Sequence, residues 1–228
     1  MKSQFGFLSR RLMVFWLSLL TTFTLLAQDH LDEKFQGSYR SRPKTSIVRN
    51  KTTKGISLPR KFAGLTDLLE SLPLDVTMRK KYPDLKINGG DPEKRKLEEL
   101  YNVEVDCWIH AVKYEGGIGD RDFHVIVGND PDVDVATFMN VEVSGLPVGG
   151  KNLTPLKAAR KQFLDLFPDK NFSTTFQRIE PPLKVRIAGS LLFDGQHNHS
   201  CEKCPGPGYA KPGTVWEIHP VYSVVSIQ

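Results

Sequence analysis

Three cysteines in 228 residues are too few for a disulfide-stapled miniprotein. No stretch reaches the roughly 20 apolar residues of a bilayer-spanning helix. The longest, Leu12 to Leu26, is interrupted by Ser18, Thr21, Thr22 and Thr24. A multi-pass membrane protein is excluded. There is no G-x-S-x-G motif, which weighs against a covalent serine hydrolase. Gly116, Gly117 and Gly119 do not open a helical pattern, so they form no dinucleotide site. No cofactor signature is present, and none is expected.

The net charge of +5 is unevenly spread. Residues 1–27 carry Lys2, Arg10 and Arg11 and no acid. Residues 28–61 carry nine bases against three acids, and residues 62–228 carry nineteen against twenty-three. The basic balance therefore lies in the N-terminal region, and the rest is mildly acidic. A phosphate-binding surface needs clustered Lys and Arg, so nucleic acid is a disfavoured partner.

The first 27 residues have the pattern of a signal peptide: a basic start, an apolar run and Ala27 before polar Gln28. Cleavage after Ala27 is the preferred reading. An uncleaved anchor is the alternative, and it would be the only contact with a membrane. No cysteine lies near the junction, which argues against a lipoprotein. An exported, periplasmic or extracellular chain follows.

Residues 28–60 show no hydrophobic period and are broken by Pro43 and Pro59. They read as a flexible basic tail with nothing to bury. Residues 61–102 read as a short helical segment. Phe62, Leu65, Leu68, Leu69 and Leu72 have helical spacing. Asp91-Pro92-Glu93 is a helix start, with Asp as N-cap, for a helix running to about Tyr101.

Strand patterns begin at Val103. They cover Val103 to Tyr114, Phe123 to Val127 and Thr137 to Val143. In the first, Cys107, Ile109 and Ala111 fall on one face, and Trp108, His110 and Val112 on the other. A helix follows from Thr154-Pro155 with Leu156, Ala159, Phe163 and Leu166 on one side. Val185 to Phe193 and Thr214 to Ile227 complete the set. Three strands, a helix and two strands is the order of an OB-fold, a five-stranded barrel with one capping helix, here over 103–228. An open α+β sheet is the alternative.

Three segments carry a resemblance. They are Asp120-Arg121-Asp122-Phe123-His124, Phe193-Asp194-Gly195-Gln196-His197 and Trp216-Glu217-Ile218-His219-Pro220-Val221. Together they resemble an uncharacterised family of secreted bacterial proteins with D-x-H, F-D-x-x-H and W-E-I-H-P-V motifs. The resemblance implies an OB-fold-like domain and a cluster of polar residues, but no activity. Cys201 and Cys204, directly after the second motif, depart from the family pattern.

Alternate strand residues share a face, so Asp122 pairs with His124 and Glu217 with His219. With His197 they form a candidate polar cluster at one end of the barrel. Such a set supplies metal ligands or a general acid and base, or it is a self-satisfied structural network. The structural network is the preferred reading. His197, His199, Cys201 and Cys204 have zinc-ligand chemistry, but outside the cytoplasm a Cys201–Cys204 disulfide is favoured. Cys107 then remains free or pairs with one of them. Asp130, Asp132 and Asp134 are spaced like a calcium loop but lack its Gly and Glu, so a solvated turn is expected. The N-x-S/T triplets matter only in a glycosylating host.

The leading expectation is an exported, OB-fold-like ligand-binding or interaction module for a small ligand or protein. The alternative is a metal-dependent hydrolase of the phosphodiesterase type that uses Asp122, His124, His197, Glu217 and His219.

Overall fold

The computed structural model describes residues 30–37, 39–85, 94–117, 119–195 and 204–227. The expected signal peptide, His197 and Cys201 lie outside them. Among the described residues no helix is long and apolar enough to cross a membrane. In chain order the elements are α1 (Ser41–Lys44), β1 (Arg60–Phe62), α2 (Leu65–Ser71) and α3 (Asp75–Lys81). Next come β2 (Asn102–Tyr114), β3 (Phe123–Gly128), β4 (Phe138–Val143), α4 (Leu153–Asp165), β5 (Gln177–Phe193) and β6 (Trp216–Ser226). Single 3₁₀ turns lie at Pro83–Leu85 and Leu97–Glu99.

The six strands form one sheet, in the order β1-β2-β3-β4-β6-β5. β5 also pairs with β2, so five strands close on themselves into a ring. β1 adds in parallel to the start of β2. Ring neighbours are antiparallel except β4 and β6, which run parallel with Asn140 opposite Glu217. The main core is built from Val103, Val105, Cys107 and Ile109 of β2, Phe123, Val125 and Val127 of β3, and their counterparts on β4, β5 and β6. Phe163 and Leu164 of α4 join it.

Every residue of β3 and β4 is buried, so both faces of these strands are covered. Away from the core, one end of that face is apolar, with Ala111, Ile126 and Phe138. The other end is polar and forms the site described below.

Several elements differ from the sequence reading, each for a physical reason. Register slips between Ile109 and Ala111 on both sides of β2. One extra residue flips the alternation. Val112 and Tyr114 therefore join the main core, while Ala111 joins the outer cluster. β5 begins at Gln177 rather than Val185. Pro181 and Pro182 lie where the β2–β5 ladder skips from Leu183 to Arg178, so no strand hydrogen bond is asked of them. The helix expected from Asp91 to Tyr101 falls partly on residues 91–93, outside the described set. Residues 94–101 hold only the Leu97–Glu99 turn. Leu97 and Leu100 are exposed, so there is no apolar stripe to hold a longer helix.

Among the described residues of the stretch read as a tail, 30–37 and 39–60, several are docked on the sheet. Arg40, Lys44 and Ile47 are buried. Asn102 donates to the Val48 and Ser57 carbonyls, and Ser190 Oγ accepts from the Val48 amide. Phe35 N–H donates to the Leu146 carbonyl at 2.9 Å. The segment docks through backbone groups and buried charges rather than an apolar stripe, which is why hydrophobic periodicity does not reveal it.

Candidate functional site

Three adjacent strands present polar side chains on the face turned from the main core. His124 of β3 stands opposite Glu142 of β4 in the ladder, and Asn140 stands opposite Glu217 of β6. Asp122 immediately precedes β3. The β5–β6 register shifts between Gly189 and Leu191, where β6 carries His219-Pro220. That bulge absorbs a proline without an N–H and aims His219 at Glu142. Gly189 is required there: a Cβ on it would lie 2.3 Å from the Ile218 side chain and 2.7 Å from the Pro220 carbonyl.

The resulting distances are short. His219 Nδ1 is 2.7 Å from Glu142 Oε2 and 3.6 Å from Glu217 Oε2. His124 Nδ1 is 3.1 Å from Glu142 Oε1. His124 Nε2 is 2.7 Å from Glu115 Oε2 and 3.4 Å from Asp122 Oδ1. Asn140 Nδ2 donates to Glu142 Oε1 at 2.8 Å and Glu217 Oε1 at 3.0 Å. Asp122, Glu142, Glu217 and His219 are at most 1% exposed.

The N-terminal segment covers this face. Lys44 Nζ donates to Asp120 Oδ2 at 2.6 Å and lies 3.4 Å from Asp194 Oδ2. The Ser144 hydroxyl donates to the Lys44 carbonyl. Arg95 donates to the Pro43, Ser46 and His219 carbonyls, tying the cover to β6.

Despite the short distances, many of these atoms lack an aligned hydrogen-bond partner. Both oxygens of Asp122, Oε2 of Glu142, Oε2 of Glu217, Nδ1 of His124 and both ring nitrogens of His219 are buried and make no well-aligned hydrogen bond, though most lie in the ion-pair contacts above. Each such atom costs on the order of 1–3 kcal/mol if nothing else satisfies it. Single donor atoms of Asp122, Glu142 and His219 lie within 4.8 Å of one another, as do those of Glu115, Asp122 and His124. One imidazole and two carboxylates form a donor set for a divalent ion, either borderline zinc or harder manganese.

The electrostatics follow from burial and crowding. Burial, then the Glu142 charge, pushes the Glu217 carboxyl up to about 7. Burial also raises Glu142 well above the usual range. Burial works against a charged His124, but Glu142 and Asp122 outweigh it and hold its proton well above the ordinary histidine range. His219, buried beside Lys44, is pushed down despite Glu217. Burial opposes the Asp122 charge, but His124 and His219 hold its carboxyl low. The hydrogen bond from His124 brings Glu115 down to about 2.

Of the residues expected from sequence, Asp122, His124, Glu217 and His219 meet here. They meet on the covered face of β3, β4 and β6 turned from the main core. His197 lies outside the described residues. Glu142, Asn140, Glu115 and Lys44 were not anticipated. Cys204 is disulfide-bonded and Cys107 is free and buried; Cys201 lies outside the described residues. Asp130 and Asp132 each accept a hydrogen bond from the amide two residues on, which is turn chemistry. A groove of about 460 Å³ lined by Leu69, Leu72, Leu74, Val76, Phe138 and Trp216 contains none of the cluster residues. No family model, curated protein or solved structure matches the chain.

Proposed function

We propose that this protein is an exported, OB-fold-like module that binds a divalent metal ion through Asp122, Glu142 and His219. The observation that carries the reading is the set of converging, buried donor atoms on these residues that crowd one another without well-aligned hydrogen bonds. A purely structural network would close its hydrogen bonds. Here His219 Nδ1 and Glu142 Oε2 approach to 2.7 Å without aligned hydrogen bonding. A shared cation satisfies both at once, with Asp122 as the third ligand. Asn140 then acts from outside: its amide fixes Glu142 Oε1 and Glu217 Oε1, leaving each Oε2 turned toward His219.

The OB-fold assignment rests on the ring order β2-β3-β4-β6-β5, the parallel β4–β6 closure and the helix between β4 and β5. In this reading α4 is the capping helix. Export rests on the sequence pattern of residues 1–27.

Metal content and thermal stability of the purified protein test the proposal. A ligand that binds only the folded state stabilises it by mass action, about 2.7 kcal/mol at one hundred times its Kd. The wild type should lose several degrees of Tm on chelation and regain them with added zinc or manganese. His219→Ala should fold and show no response to either treatment. A wild-type Tm indifferent to chelator and metal would overturn the proposal and return the cluster to a structural role.

A further inference from the structure

Asp122 belongs to two donor sets. One is Asp122, Glu142 and His219; the other is Glu115, Asp122 and His124. Both carboxylate oxygens of Asp122 are buried and make no well-aligned hydrogen bond. The donor facing Asp122 Oδ1 is His124 Nε2, at a long 3.4 Å, and a second cation at Glu115 and His124 would replace that proton. We propose that the site is binuclear, with Asp122 bridging an inner divalent cation at Glu142 and His219 and an outer one at Glu115 and His124. This deepens the metal reading above and rests on it.

The two positions differ in surroundings. The inner one is enclosed by Glu142, Glu217 and His219, all buried. The outer one opens toward solvent, because the Glu115 side chain is 43% exposed. His124 connects them: its Nδ1 faces Glu142 at 3.1 Å and its Nε2 faces Glu115 at 2.7 Å and Asp122 at 3.4 Å. The outer cation takes the place of the Nε2 proton now lying between those two carboxylates.

The chemistry expected of such a pair differs from that of one buried ion. Two cations about 3.5–4 Å apart hold a bridging oxygen and can bind both oxygens of an anionic ligand. The exposed outer position gives a small oxyanion, such as inorganic phosphate, a route to the pair. A single ion at the inner position alone would be closed off and structural.

Stoichiometry separates the two levels of the argument. The purified protein is stripped with chelator, loaded with excess manganese, desalted and assayed for metal per chain. Manganese electron paramagnetic resonance is recorded on the same sample. Two equivalents and an exchange-coupled spectrum are expected. Glu115→Gln should fall to one equivalent with the six-line spectrum of an isolated ion. Glu115→Gln gives up the ion pair with His124, so its metal-free Tm should fall, and metal per chain and the spectrum carry the test. Asp122→Asn should lose the coupled spectrum as well. One equivalent in the wild type, unchanged in Glu115→Gln, would overturn the binuclear inference and leave the single-ion reading intact. No bound metal would overturn both.

Discussion

At the scale of the residue, Glu142 decides what the polar motifs become. Asp122, His124, Glu217 and His219 are legible because each pair alternates with apolar neighbours on a strand. Glu142 also sits on an expected strand, two residues from Asn140, and that parity was the available signal. Its meaning depends on register, since it becomes a partner of His124 only through the β3–β4 ladder. Lys44 and Arg40 gave no signal, because polar residues in an aperiodic segment look solvated. Arg40 is wholly buried and forms a two-pronged pair with Glu99, Nη1 to Oε1 and Nη2 to Oε2, each 2.6 Å. Glu99 also accepts from the Phe193 and Lys96 amides. Arg40→Ala would strand a buried carboxylate, a loss of about 3–5 kcal/mol. Arg40→Lys should recover only part of it, since an ammonium cannot reproduce the fork. Urea unfolding measures both. A loss under about 1 kcal/mol for Arg40→Ala would mean that the N-terminal segment is not held by this pair.

At the scale of the element, the strands and α4 could be read because each has a period. Alternation marks β2 and β6, and a stripe of Leu156, Ala159 and Phe163, spaced three and four residues apart, marks α4. What could not be read has no period of its own. β1 is three residues long and exists because β2 offers it an edge. Residues 39–50 are held by scattered contacts with β2, β5 and β6. Their docking has a direct consequence for proteolysis. Lys51 and Lys54 are exposed on a turn, whereas Arg40 and Lys44 are buried. Limited trypsin digestion of the native protein should nick first at Lys51 and Lys54. The fragment before the nick should stay with the domain until denaturant is added. Early cleavage after Arg40 or Lys44, seen by mass spectrometry, would show that the segment leaves the surface readily.

At the scale of the whole molecule, the charge partition is the feature most easily misread from sequence. A basic segment and an acidic remainder suggest a tail and a domain. In the fold they are complements: Lys44 is inserted among Asp120, Asp194, Glu142 and Glu217, which hold its proton well above the usual lysine range against the cost of burial. The carboxylates beneath it still outnumber their cations locally, so the metal-free protein stores protons there. Glu217 is raised from 4.5 to about 7, and Glu142 is raised as well. A raised carboxyl stabilises the fold fully below its unfolded value of about 4.5, and that contribution is lost as pH rises through the folded value. His124, also raised, adds stability below about 6.5 that is lost at higher pH. Asp122, lowered, acts in the opposite sense: its contribution is present above about 4 and lost as pH falls. For Glu217 alone the change between pH 5 and 8 is on the order of 3 kcal/mol. The lowered His219 acts against this, its contribution growing as pH rises through about 6.5. The raised Glu217, Glu142 and His124 together outweigh it, so metal-free protein should lose Tm from pH 5 toward pH 8. A bound divalent ion needs those carboxylates deprotonated, so its affinity rises over the same interval. With manganese present, the decline in Tm should flatten or reverse. Thermal melts across pH 5 to 8, with chelator and with manganese, give the two curves. Parallel curves would show that the protons and the metal do not compete for the same carboxylates.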